Sequence, residues 1–302
     1  MRLLVFGGWG QLGSDLAVVA DQHGHELVRP RHGEVDVTDR EGVLASAQTH
    51  RPHVLITTAA FHKMEQTEAD PVQTFAVNTI GARFVAEAAR AAGARCVYIS
   101  TDYVFDGEQP HGYAEGDPVN PVNLYGVSKA AGELAVRNSC PDSLVVRGSG
   151  LFGHAGSSGK GGNLVETMLA KAAAGEPIQV VDDQFAAPTS TRDMAERILL
   201  WLEHQVPPGV YHGANRGGTS WYRFCKRIFE IAGVQPDLTP KPAGVQEVRR
   251  PRSSILLDTR SERLGLPPNR TWEDALAWYI ENRPAHRRDM DPTRAGSLRS
   301  RG

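Results

Sequence analysis

Leu3-Leu4-Val5-Phe6-Gly7-Gly8-Trp9-Gly10-Gln11-Leu12-Gly13 stands near the head of this chain of 302 residues. The four apolar residues read as a short buried strand, and the pattern running on through Leu16 and Val19 reads as a helix. Between the two lies G-x-x-G-x-x-G, formed by Gly7, Gly10 and Gly13. Glycines at these places allow a tight turn, a close approach of backbone to a pyrophosphate and a close helix-to-strand contact, with the diphosphate on the helix N-terminus. An ordinary glycine turn is the alternative. The position at the first strand points instead to a dinucleotide site that includes Gly7, Gly10, Gln11, Leu12 and Gly13.

Moving outward, the next strand, around Glu26-Leu27-Val28, ends in Arg29-Pro30-Arg31-His32 where an acid would bind the ribose hydroxyls of NAD. The cationic forks of Arg29 and Arg31 suit a 2'-phosphate, so NADPH is the preferred cofactor and NADH remains possible; a solvated basic loop is the other reading. Asp36 and Val37 follow, placed to sit against the adenine. Val54 to Thr58 reads as a buried parallel strand, and Ala59-Ala60-Phe61 after it lets a cofactor lie close to the backbone. A helical period covers Pro71 to Ala92 and contains Asn78, read both as a structural amide that kinks the helix and as the holder of a proton-relaying water. Cys96 to Ile99 is a further buried strand, with Ile99 assigned to the cofactor wall. These elements together predict an α/β fold, a Rossmann-type doubly wound parallel sheet with a smaller C-terminal substrate domain.

That last strand runs into Ser100-Thr101-Asp102-Tyr103, and polar groups beyond the C-terminal end of a parallel strand are where such sheets bind ligands. Thr101 can donate to a substrate oxygen and accept from a tyrosine, and Asp102 can accept from a hydroxyl; a turn or helix cap is the bland use of the same residues. Tyr125 and Lys129 are four apart in Tyr-Gly-Val-Ser-Lys, on one face of a helix. A phenol ionises near pH ~10, and a neighbouring ammonium shifts it downward. The pair is a candidate proton-transfer couple; alone it is equally a solvated surface pair.

The apolar fraction of 40% and charged fraction of 23% are those of a globular protein. Met1 to Phe6 runs straight into the glycine turn without a signal-peptide pattern, and no long apolar run follows, so no membrane association and a cytoplasmic location are expected. Cys96, Cys140 and Cys225 are far apart and form no C-x-x-C, which predicts neither a disulfide frame nor a metal site. A formal net charge of -2 argues against nucleic acid as a partner.

With these stretches in line, the chain resembles the extended short-chain dehydrogenase/reductase family, and within it the dTDP-4-dehydrorhamnose reductases. The likeness rests on Gly7 to Gly13, Ser100 to Phe105, Pro121 to Glu133 and Asp183 to Thr189, with Trp221 to Phe224 and Arg250-Pro251-Arg252 also familial, and it extends to about Asn282. It implies NADPH-dependent reduction of the C4 keto group of a nucleotide-linked 4-keto-6-deoxy sugar. Tyr125 would give the proton, Lys129 hold the nicotinamide ribose and lower the tyrosine pKa, Thr101 tune Tyr125, and Asp102 bind a sugar hydroxyl. Two departures stand out: Gly150 where an aromatic wall of the sugar pocket is expected, and Ala186 where a glycine is expected. The Gly150 change leaves room for a related sugar nucleotide, or for a non-catalytic NADP-binding regulatory subunit like the beta subunit of methionine adenosyltransferase. An epimerase or dehydratase of the same broad family ranks last.

In the second half, His154 to Gly162 is rich in glycine and serine, either a closing loop or a surface insertion. Asn163 opens a helix, Ile178 to Val181 reads as a strand, and Asn163, Gln184 and Arg250 are placed at the nucleotide end of the substrate, beside Gly150 at the sugar. The predicted domains are 1–148 for the cofactor, rejoined by a segment around 178–212, and 149–284 for the substrate. Residues 285–302 lack apolar periodicity and are expected to form a tail without a catalytic role. The oligomeric state, a homodimer among the options, and a magnesium ion at a subunit interface are left open.

Overall fold

Strand β1 (Arg2–Phe6) sends Leu3 and Val5 into one layer of core and Leu4 and Phe6 into the other. A strand covered on both faces needs an unbroken apolar run, and this one has it. Around it, the computed structural model describes residues 1–156 and 162–283. Helix α1 (Gln11–Gln22), β2 (Glu26–Val28), α2 (Arg40–His50), β3 (Val54–Thr57), α3 (Ala82–Ala91), β4 (Arg95–Thr101), α4 (Leu124–Ser139) and β5 (Ser143–Gly148) follow in the first half. The second half adds α5 (Leu164–Ala173), α6 (Thr191–Glu203), β6 (Gly209–His212), α7 (Trp221–Ala232) and α8 (Trp272–Glu281).

The six strands form one parallel sheet in the order β2-β1-β3-β4-β5-β6. The winding reverses between β1 and β3, which leaves a crevice at the C-terminal strand ends there. On one face Leu12, Leu16 and Val19 of α1 pack with Met194, Ile198 and Trp201 of α6. On the other, Val43 of α2, Val85 and Ala89 of α3 and Val136 of α4 close the layer. A separate cluster of Phe152, Val165, Phe224, Ile228, Trp272 and Tyr279 forms the core of a second lobe. Of the segment 178–212, α6 and β6 lie on the large sheet, whereas Ile178–Val181 pairs in parallel with Leu238–Lys241 away from it. The three cysteines are buried and free, and among the described residues no helix is long and apolar enough to cross a membrane. Residues 157–161 of the glycine-serine loop and the tail from 285 lie outside the described residues.

The helix expected over 71–92 is interrupted. Pro71–Phe75 is α-helical, Ala76–Gly81 winds as a π-helix, and α3 resumes after it. The wider turn carries Asn78 inward, fully buried, where its side chain bonds both the N–H and the carbonyl of Phe61 (2.9 Å each) and Ser128 Oγ (3.0 Å). Asn78 is therefore a clamp on the segment that leaves β3. The Tyr98 hydroxyl donates to its carbonyl at 2.8 Å.

Helix α4, capped by Asn123, presses unusually close to β4 because it carries glycine at the contact. A Cβ on Gly132 would stand 2.3 Å from the Tyr98 hydroxyl and 2.5 Å from the Asn78 carbonyl. Helix propensity alone makes Gly132→Ala stabilising by about 1 kcal/mol, but overpacking of this kind costs about 1–3 kcal/mol or more. We expect the packing to win: Gly132→Ala should lower the denaturant midpoint, and a raised midpoint would contradict the close approach.

Candidate active site

The glycine turn lies flush against the exit of β3. Gly7 has φ +77°, and a Cβ on it would fall 2.6 Å from the Ala59 nitrogen, so both the backbone and the space demand glycine. Gly13 backs onto Gly8 in the same manner. No side chain caps the first turn of α1, so the N–H groups of Gln11, Leu12 and Gly13 point outward from Gly10 toward a ligand. Leu12 offers its backbone alone, its side chain being core, and the buried Gln11 Oε1 has no partner in the protein.

Beside this turn the guanidinium groups of Arg29 and Arg31 lie over the ring of Trp9, 3.9 and 4.1 Å from its centroid. The indole N–H donates to the Arg29 carbonyl at 2.9 Å, and Arg29 donates to the Gly8 carbonyl at 3.3 Å. Trp9 was not singled out from the sequence; an aromatic inside the glycine motif, two positions before a helix, was the available signal. Stacking holds both cations at the rim of the cradle. An uncapped helix N-terminus, a glycine that a Cβ would block, an orphaned acceptor and paired cations fit a phosphorylated dinucleotide. Asp36 closes its own turn by accepting from the N–H and Oγ1 of Thr38, and Val37 is buried.

The candidate proton-transfer residues meet at the C-terminal end of β4. The Tyr125 hydroxyl lies beside Thr101, which acts to lower its pKa. Thr101 gives its proton to Asp102 Oδ1 (2.9 Å) and accepts from the Tyr103 N–H (3.2 Å). Lys129 Nζ donates to the Ile99 carbonyl (2.6 Å) and lies 4.1 Å from the centre of the Tyr98 ring. Burial brings the Lys129 pKa down to about 7, with Glu133 opposing. The Tyr125 pKa is raised rather than lowered: burial acts first, the Asp102 charge second, and Thr101 pulls the other way. The lowering expected from Lys129 is absent, because the ammonium is turned to the Ile99 carbonyl and itself poorly solvated.

Asp102 is held by the protein itself. It is 4% exposed, and its oxygens accept from Thr101, from Ser149 (2.8 Å) and from Ser254 (2.6 Å). A carboxylate so engaged is a structural hub. Gly150, next to it, has φ +54°, and a Cβ there would be 2.8 Å from the Trp221 ring. The Trp221 indole, from α7, thus lies where a side chain at position 150 would begin. Ala186, for its part, is buried and pairs with Thr219 across a short antiparallel bridge without disruption.

Residues placed at the nucleotide end are less convergent than expected. Asn163 caps α5 and donates to the Gly153 carbonyl (2.7 Å) and the Tyr279 hydroxyl (2.9 Å), which makes it a cap with both ends of its amide in use. Gln184 bonds Gln246 at 3.3 Å. Arg250 is exposed and approaches Glu65 at 3.6 Å, a loose ion pair. Among the described residues no group of His, Cys, Asp and Glu is arranged to hold a metal ion.

Comparison with known proteins gives one consistent result. Residues 1–284 match the family model for the RmlD substrate binding domain. The chain is 36% identical to a dTDP-4-dehydrorhamnose reductase of Streptomyces griseus over 91% of each chain. It is also 36% identical to a dTDP-4-keto-6-deoxy-D-glucose reductase of Streptomyces niveus, covering 91% of this chain and 95% of that one. The solved dTDP-4-dehydrorhamnose reductase of Bacillus anthracis, in complex with NADP, is 34% identical, with a TM-score of 0.87 over 93% of this chain and 98% of that one.

The buried ammonium supplies a test. Lys129 falls from 10.5 to about 7 on folding, so between those values the unfolded chain binds more protons and stability rises with pH. Lys129→Met should therefore raise the melting temperature at pH 7, by an amount that shrinks as the pH approaches 10; a lower melting temperature at pH 7 would refute this reading.

Proposed function

This chain belongs to the RmlD substrate binding domain family, and on that footing we propose that it reduces the C4 keto group of a dTDP-linked 4-keto-6-deoxy sugar with NADPH, in deoxysugar biosynthesis. The observation that carries the reading is the placing of Tyr125 beside Thr101, with Lys129 bonded to the Ile99 carbonyl, at the strand ends next to a cradle for a phosphorylated dinucleotide. NADPH, when bound, supplies the hydride.

Residues of the chain do the rest. A phenol whose pKa is held above its ordinary range remains protonated throughout the neutral region, the state a proton donor to the C4 oxygen requires. Thr101, fixed by Asp102, orients the Tyr125 hydroxyl. Lys129 would hold the nicotinamide ribose from the floor of the site. Gly7, Gly10, Gln11, Leu12 and Gly13 would hold the diphosphate, Ala59 to Phe61 and Ile99 the nicotinamide half, and Arg29 and Arg31 the 2'-phosphate. Trp221 gives the sugar an apolar surface beside Gly150. The cofactor elements group as residues 1–148 with α6 and β6, and the remaining described residues build the sugar side.

Tyr125→Phe should reduce turnover of such a sugar nucleotide by roughly 10²–10⁴-fold while NADPH affinity stays within a small factor; near-normal turnover in the NADPH absorbance assay would exclude the proton-donor role. For the cofactor, calorimetry on Arg29→Ala/Arg31→Ala should find NADPH binding weakened about tenfold or more with NADH binding little changed. Equal losses for the two nucleotides would remove the 2'-phosphate assignment.

A further inference from the structure

Helix α4 meets β4 in three steps, of which only two belong to the site described above. Tyr125 lies beside Thr101, and Lys129 bonds the Ile99 carbonyl. One turn further along the same face, Glu133 takes the hydroxyl of Ser100 at 2.5 Å, the residue lying between those two partners. Residues spaced four apart on one helix thus hold consecutive residues of one strand end.

The third step is anchored from below. Arg147 is the neighbour of Ser100 in the sheet, and its Nε and Nη2 reach Glu133 at 2.9 and 2.7 Å. The pair is almost fully buried, with side chains 4% and 6% exposed. On the far side of Arg147, the next strand presents His212 at 3.5 Å, kept neutral by burial and by the arginine charge. A bidentate, desolvated ion pair is rigid, because loosening either end strands a charge away from water.

We propose that Glu133 is a positioning residue for the reduction, gripping Ser100 so that Ile99 and Thr101 stay in register with Lys129 and Tyr125. The inference rests on the reductase reading given above. Its consequence is that releasing Ser100 moves both partners of the proton-transfer couple at once, while the cofactor cradle at Gly7 to Gly13 and the apolar cores are left alone.

Ser100→Ala tests this without disturbing the ion pair; Glu133→Gln is the harsher change, since it leaves Arg147 buried opposite a neutral group and can prevent folding. Steady-state assays with NADPH and a dTDP-4-keto-6-deoxy sugar are compared with NADPH affinity and melting temperature. For Ser100→Ala, kcat should fall about tenfold to a hundredfold, the range that small misplacements of reacting groups produce, with the sugar KM within twofold, the melting temperature little changed, and any weakening of NADPH smaller than the loss in kcat. A kcat within twofold of wild type overturns the clamp, and so does a parallel drift of kcat, both KM values and melting temperature, the mark of a purely structural serine. Wild-type protein inert toward every such sugar would overturn the reductase reading and the clamp together, which separates that failure from the other two.

Discussion

A carboxylate taken out of water must find donors, and at Asp102 that demand draws three distant stretches of chain to one point. Thr101 comes from the end of β4, Ser149 from the loop after β5, and Ser254 from a segment 152 residues further on. Burial raises the Asp102 pKa, and the three hydroxyl bonds work against that rise. Removing any one of them leaves a desolvated acceptor short of a partner, which costs about 1–3 kcal/mol. The second lobe is therefore seated on the sheet through the same residue that orients Thr101. Binding surface and proton-transfer group share an anchor.

Above this anchor, the contact of α4 with β4 converts helix periodicity into chemistry. Four-residue spacing places Tyr125, Lys129 and Glu133 on one face, and glycines at 126 and 132 let that face approach to where single hydrogen bonds reach the strand. The π-helical stretch contributes from the side, since it turns Asn78 inward to fix Phe61 and Ser128. Each of these pieces is a local choice with one distant partner, and the partners converge at the C-terminal end of β4.

The parallel sheet was legible because its signals are local: apolar runs bounded by glycine, and a basic pair where the second strand ends. Tyr125, Lys129 and Thr101 were legible because spacing and strand ends announce them. The partners of Asp102 were not, since a carboxylate that binds Ser149 and Ser254 looks like any other in sequence. The same limit applies to Asn163 and Arg250, whose partners Tyr279 and Glu65 lie far along the chain. Hydrophobic periodicity also could not show the π turn, because one extra residue within a single turn hardly alters an apolar pattern that runs for twenty.

Gly150 has one more implication. Its left-handed backbone disfavours any side chain, and the Trp221 ring already occupies the space such a side chain would enter. A side chain at position 150 would therefore need both a change of backbone and a shift of the Trp221 ring, so the shape of this corner is set by two residues 71 positions apart acting as one unit.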